Sequence, residues 1–173
     1  LIILCILGTT AFGLFKLGKM ERTNLSNIKN NGLKQTGYTN VALFGLDSRE
    51  NDLGKGNRSD TIIIASLNND TKEVKLVSIY RDTLLELDDG SYNKANSAYS
   101  FGGPEGAVSL INRNLDMNIE KYVTVNFNAL VDVIDAVGGL DLELTHDEVV
   151  HMNNYCVETS EITGKKYKKI EPE

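Results

Sequence analysis

Residues 41–67 read VALFGLDSRENDLGKGNRSDTIIIASL, two apolar runs on either side of a charged loop. Val41 to Leu46 is short and apolar enough for a buried strand, and Thr61 to Leu67, rich in β-branched residues, makes a second. Asn68-Asn69-Asp70 supplies a turn. Val74, Leu76 and Val77 then lead a third strand to Ile79, expected antiparallel to the second. The loop carries Asp47, Arg49, Arg58 and Asp60, and Arg81-Asp82-Thr83 echoes it downstream. Acids and arginines therefore emerge at strand ends, where ligands gather in α/β sheets.

Working outward toward the C-terminus, Asp88-Asp89-Gly90 marks a turn after the short run Leu84 to Leu87. Gly102-Gly103-Pro104 breaks the chain and sets Pro104 in the first turn of a helix, where its missing N–H is harmless. Val108, Ile111 and Leu115 give that helix an apolar stripe. Tyr122 to Val125 reads as a strand, and Asn126 or Asn128 can cap a helix whose Leu130, Val133, Ile134 and Val137 are expected to be buried. Gly138-Gly139 stops it, and Leu140 to Leu144 reads as another strand. Strands interleaved with helices predict a mixed α/β fold, a central sheet sandwiched by helices. Beyond Thr145 no further element is legible, and Lys165, Lys166, Lys168 and Lys169 read as solvated surface.

Toward the N-terminus, residues 1–15 hold no charged side chain. A spanning helix needs roughly 20 apolar residues, so residues 1–18 are expected to be a transmembrane helix whose start is missing. A signal-peptide core is the alternative, but no small-residue cleavage pattern precedes Lys16 and Lys19. Residues 19–40 read as a stem, and residues 41–173 as a domain incomplete at its C-terminus. The stem region is basic (Lys16, Lys19, Arg22, Lys29 and Lys34 against Glu21), so the domain is more acidic than the net charge of −6 suggests. An acidic domain excludes an ordinary nucleic-acid binder, while the basic stem suits anionic lipid headgroups. By itself a basic flank would suggest a cytoplasmic side. Cys5 and Cys156 lie too far apart in character to pair, and neither has zinc-like neighbours.

Mg²⁺ is typically held by one or two carboxylates plus phosphate oxygens, so Asp47 and Asp60 would suffice. The plainer alternative is a turn and a cap. Arg58 and Arg81 offer planar forks of donors suited to phosphate, or else simple ion pairs with the acids beside them. Arg49 is a third arginine of the same kind. Gly54-Lys55-Gly56 lacks the Walker spacing and reads as a flexible turn. Lys94, Asn96 and Tyr99 could line the same cleft or start a helix. His146 and His151 lack the spacing of a helical metal pair and read as surface residues.

Taken together, FGLDSR (44–49), NRSDTII (57–63), VSIYRDT (77–83), YNKANSAY (92–99) and GGP (102–104) resemble the LytR-CpsA-Psr family. Residues 122–127 and 132–139 continue the similarity, which covers roughly Val41 to Leu144. The resemblance implies a membrane-anchored phosphotransferase acting outside the cytoplasmic membrane. Such enzymes move anionic glycopolymers, of teichoic acid or capsule type, from polyprenyl-pyrophosphate carriers to peptidoglycan. It further implies that Asp47 and Asp60 organise Mg²⁺ and that Arg58 and Arg81 grip the pyrophosphate. Arg49, Asp82, Lys94, Asn96 and Tyr99 would line the substrate site. A lipid tail would need an apolar tunnel, with the helices starting at Pro104 and Phe127 as its walls. The family pattern has Pro where this chain has Tyr80, and its later strand with further arginines has no counterpart before Glu173. A non-catalytic module that holds polyprenyl pyrophosphate, or an inactive fragment, is the alternative reading.

Overall fold

The computed structural model describes residues 25, 28, 35–48, 53–164 and 166–171. The expected transmembrane helix, most of the stem and Arg49 lie outside the described residues. No helix among the described residues is long and apolar enough to cross a membrane.

The two runs that decide the fold form an antiparallel pair, β1 (Tyr38–Leu46) and β2 (Ser59–Asn68), with Val41 opposite Ala65 and Phe44 opposite Ile62. β1 thus begins earlier than Val41. The Asn68 side chain accepts the N–H groups of Asp70 and Thr71 at 2.9 and 3.0 Å, a side-chain-built turn. It returns the chain as β3 (Val74–Ser78), antiparallel to β2. A two-stranded ribbon follows, β4 (Leu84–Glu86) and β5 (Tyr92–Lys94), turning at Asp88-Asp89-Gly90 as expected. Gly90 takes φ +81° there, and Asp89 Oδ1 accepts from the Ser91 N–H at 2.9 Å. Helix α1 (Ser97–Asn114) then crosses to β6 (Lys121–Val125), which lies parallel to β1. The result is a mixed four-stranded sheet in the order β3-β2-β1-β6.

Strand alternation sends Ala42, Phe44, Leu46, Ile62 and Ile64 to one face, where they meet Ala98, Tyr99, Ala107, Val108, Leu110 and Ile111 of α1. Val108 and Ile111 are buried as the stripe predicts, whereas Leu115 caps the helix and stays exposed. Each fully buried large side chain contributes about 1.5–3 kcal/mol. Asparagines fasten the periphery by gripping a backbone residue at both its N–H and its C=O. Asn112 holds Ile119 at 2.7 and 3.0 Å, and Asn114 holds Glu86 at 3.0 and 2.9 Å. The first grip fixes where the chain leaves α1 for β6.

Beyond β6 three expectations need correction or addition. Helix α2 (Phe127–Ala136) is capped as foreseen, Asn126 Oδ1 accepting from the Ala129 N–H at 2.9 Å. Its stripe is not buried: Leu130, Val133 and Val137 are 46, 52 and 69% exposed, and Ile134 is only half-buried. Residues 140–145 form no strand, and Leu140, Leu142 and Leu144 are exposed. Alternation alone does not make a strand when no neighbouring strand completes its hydrogen bonds. Conversely, the stretch after Thr145 is a helix, α3 (His146–Thr163). A reciprocal Thr145–Glu148 capping box starts it and a left-handed Gly164 ends it. Asn153 grips Ile170 at both backbone groups, at 2.8 and 3.0 Å, in the manner of Asn112. His146 and His151 sit on exposed positions of this helix, and Lys166, Lys168 and Lys169 are exposed too.

Candidate functional site

At the end of β1 the register skips one residue. Gly45 faces Thr61 and Leu46 faces Ser59, leaving Asp60 as the extra residue of a β-bulge. A bulge bends the strand and re-aims the side chain it carries. Gly45 is needed at this point, since a Cβ there would lie 3.0 Å from Thr61 Cβ. Asp47 follows Leu46 directly and is exposed, so both carboxylates stand at the same end of the β1–β2 ladder. Arg58, also exposed, immediately precedes Ser59 on the opposing strand.

The second arginine arrives from β3. The Ile79 N–H donates to the Ile62 carbonyl at 2.9 Å, extending the ladder one step before Tyr80 and Arg81 leave it. The Asn96 N–H donates to the Arg81 carbonyl at 3.0 Å and the Ala95 N–H to Thr83 at 2.8 Å, which hold this segment against the start of α1. Arg81 then reaches Asp60, Nη1 to Oδ1 at 2.8 Å. Asp82 stands between two cations, with Lys94 Nζ at 2.6 Å and Arg81 Nε at 3.6 Å. The hydrogen bond and charge of Asp60, followed by the charge of Asp82, raise the Arg81 pKa above its ordinary value. The Lys94 hydrogen bond lowers that of Asp82, so its carboxylate stays ionised into acid.

These groups edge a cleft of about 510 Å³, with Asp60, Arg81 and Asp82 on its rim and Ile62, Ile63 and Ile79 along its wall. Tyr80 also borders it and is 85% exposed. Asp47, Arg58 and Lys94 do not line this cleft. Asn96 and Tyr99 are withdrawn from it, at 6 and 0% exposure. Their contacts run to the site's neighbours instead: Asn96 through its backbone N–H to the Arg81 carbonyl, Tyr99 through its hydroxyl. That hydroxyl donates to the Leu53 carbonyl at 2.8 Å and lies 3.1 Å from Thr124 Oγ1, while the ring packs edge-on to Phe44.

Among the described residues there is no cluster of three or more His, Cys, Asp or Glu that could hold a metal ion alone. Asp47 and Asp60 provide hard oxygen donors at one strand end, and Arg81 is bonded to only one Asp60 oxygen. That set fits Mg²⁺ completed by phosphate oxygens and water, its usual company. Sequence reasoning missed the bulge that re-aims Asp60 and the Leu53 carbonyl as a partner of Tyr99. The sole trace of the former is a glycine opposite a β-branched threonine.

The LytR_cpsA_psr family pattern matches residues 13–166. The chain belongs to the LytR_cpsA_psr family. It is 36% identical over 133 residues to the polyisoprenyl-teichoic acid–peptidoglycan teichoic acid transferase TagV of Bacillus subtilis, covering 74% of this chain and 34% of TagV. It is 40% identical over 112 residues to the transferase TagU of Bacillus cereus, covering 62% of this chain and 36% of TagU. The chain thus spans about a third of the length of these relatives. The crystal structure of Bacillus subtilis TagV superposes with a TM-score of 0.55 over 64% of this chain and 44% of that one, at 36% identity. The Bacillus subtilis family protein YwtF (TagT), solved with bound octaprenyl pyrophosphate lipid, superposes with a TM-score of 0.61 over 86% of this chain and 59% of that one. At 22% identity the second likeness speaks for the fold.

Proposed function

We propose that this chain carries the phosphate-handling part of a transferase that moves an anionic glycopolymer, of teichoic acid or capsule type, from a polyprenyl-pyrophosphate carrier to peptidoglycan. The observation that carries the reading is the Arg81–Asp60 contact of 2.8 Å on the rim of a cleft, in a chain of this family. The names of TagV and TagU support the transferase class, and the lipid bound to TagT supports the carrier. The reaction is a phosphoryl transfer in which a peptidoglycan sugar hydroxyl attacks the polymer-proximal phosphorus. The bond from that phosphorus to the bridging oxygen breaks, and polyprenyl phosphate leaves. Positioning and charge neutralisation dominate such chemistry.

Arg81 and Arg58 would grip the pyrophosphate, Arg81 with the donors that Asp60 leaves unused. Asp47 and Asp60 would hold Mg²⁺, which when bound neutralises charge on the phosphate oxygens. An acid cannot attract an anion, so Asp82 serves the site by holding Arg81 and Lys94 in place. The apolar stripe of α2 is a candidate wall for the lipid tail because it stays exposed. The helix containing Pro104 uses its stripe on the core instead. Residues 1–18 would anchor the chain in the cell membrane by a single pass, with the domain on the extracytoplasmic side.

The test is release of polyprenyl phosphate from a labelled carrier by the full chain, with a peptidoglycan acceptor present. Release is expected to need Mg²⁺, to stop with EDTA, and to fall at least about 100-fold in Asp47→Asn. Release indifferent to EDTA and to Asp47→Asn would refute the metal assignment. Carrier binding without any release would favour the binding-module reading.

A further inference from the structure

The break at Gly102-Gly103-Pro104 does more than kink a helix. Within α1, Gly103 takes φ +64° and ψ −156°, a conformation open essentially to glycine alone, and the helix bends there. In an unbroken helix the N–H of residue 104 would donate to the carbonyl of residue 100. Pro104 has no N–H, so the Ser100 carbonyl is released from the helical ladder. That carbonyl accepts a hydrogen bond from the Gly56 N–H at 2.9 Å. One turn's missing bond is thus spent on the loop that carries Arg58.

A second tie lies beside it. The Tyr99 hydroxyl has one proton and gives it to the Leu53 carbonyl at 2.8 Å. In the 3.1 Å contact with Thr124, the threonine is therefore the donor. Tyr99 is wholly buried between Phe44 and β6, so its hydroxyl is a fixed post. Residues 53–56 are held at both ends, Leu53 by Tyr99 and Gly56 by Ser100. Arg58 lies two residues further on, and Asp60 follows at the bulge.

We infer that the kinked start of α1 is a clamp for the phosphate-handling loop, with Tyr99 a positioning residue that acts through the Leu53 carbonyl to set the aim of Arg58. The role given to Arg58 rests on the function proposed above; the clamp itself does not. Surface loops ordinarily fray, whereas this one is tied to the core by the Tyr99 hydroxyl and the Ser100 carbonyl. Presenting Arg58 in one orientation spares a ligand the cost of ordering the loop on binding.

Tyr99→Phe removes the hydroxyl and keeps the ring. Amide hydrogen exchange on the full chain is expected to rise about tenfold or more at residues 53–58 while β1, β2 and the second half of α1 keep their protection. Thr124→Val leaves the Tyr99–Leu53 bond in place and is expected not to loosen the loop. Gly103→Ala strains the kink from the other side, because φ +64° with ψ −156° disfavours any side chain, although the added methyl itself meets only Lys55 Cγ at an ordinary 3.5 Å. It is expected to expose the Gly56 amide as well. Loop exchange unchanged in Tyr99→Phe, or a rise spread evenly through the core, overturns the clamp.

In carrier turnover, Tyr99→Phe is expected to raise KM for the carrier about 3–10-fold with kcat within about twofold, as for lost uniform binding. A loosened loop with unchanged KM would overturn the positioning role. If the wild-type chain shows no turnover, the proposed function fails, and the exchange data still decide the clamp.

Discussion

Replacing Arg81 with alanine separates a structural ion pair from a phosphate grip, because the two roles predict opposite outcomes. A guanidinium offers five N–H donors. Asp60 takes one at 2.8 Å, and Asp82 stands 3.6 Å from Nε, beyond direct hydrogen-bond distance. The remaining N–H groups are available to a ligand on the rim of the cleft. The Arg81 and Asp60 side chains are 52 and 40% exposed, so water and salt screen their attraction. Arg81→Ala is therefore expected to shift the thermal unfolding midpoint by less than about 3 °C. Carrier turnover is expected to fall about 10²–10³-fold, short of the 10³–10⁵ of the strongest arginines because this one is half in water. Arg81→Lys keeps the charge without the fork and should recover only part of the loss. The assay is polyprenyl phosphate release at saturating Mg²⁺, with thermal unfolding measured on the same preparations. Retained turnover together with a midpoint lowered by more than about 5 °C would refute the reasoning and make Arg81 a residue of the fold.

Asn112→Ala strips both partners from the buried turn at Ile119, and the two orphaned backbone groups should cost about 2–4 kcal/mol in denaturant unfolding; a loss under about 1 kcal/mol would mean that water replaces the side chain. The Thr145 hydrogen bonds lower the pKa of Glu148 from its ordinary 4.5. A depressed carboxylate stabilises the folded state above its unfolded pKa and loses that contribution as pH falls through the folded value. The start of α3 should therefore loosen in acid below about pH 4.5, seen as faster amide exchange at residues 146–150. Glu148→Gln should remove that acid dependence, and an unchanged acid profile in the variant would assign the loss to other groups.

Elements of the sheet were legible where one face had to be buried. The runs at 41–46 and 61–67 and the stripe at Val108 and Ile111 report a core directly, since a one-residue slip would turn every apolar side chain outward. The same signal misled at α2 and at Leu140 to Leu144. Periodicity shows which face of an element is apolar and says nothing of what covers it, and Leu130, Val133 and Val137 lie in the open. Helix α3 escaped notice for the reverse reason: its Val149, Val150, Tyr155 and Val157 make no sustained stripe. Its ends were nonetheless written in the chain, as Thr145 three residues before Glu148 and as Gly164 at the stop.

At the site, residue types were legible and their partnerships were not. Asp47, Arg58, Asp60 and Arg81 stand out because carboxylates and arginines at strand ends suggest metal and phosphate. Whether Asp60 turns toward Arg81 depends on a bulge, and bulges follow from the pairing of distant strands. Tyr99 shows the limit most clearly. A tyrosine near a polar motif reads equally as a ligand contact or as core, and only its complete burial in the fold, with its hydroxyl bonded to Leu53, 46 residues away, decides for the core. Pro104 stands not at the start of α1, which begins at Ser97, but in the first turn after its kink at Gly103, and the consequence of its missing N–H falls on Ser100 and, across the fold, on Gly56. A proline therefore reports two things. The first, where a helix breaks, is local and can be read from sequence; the second, which carbonyl is released and what takes it, requires the structure.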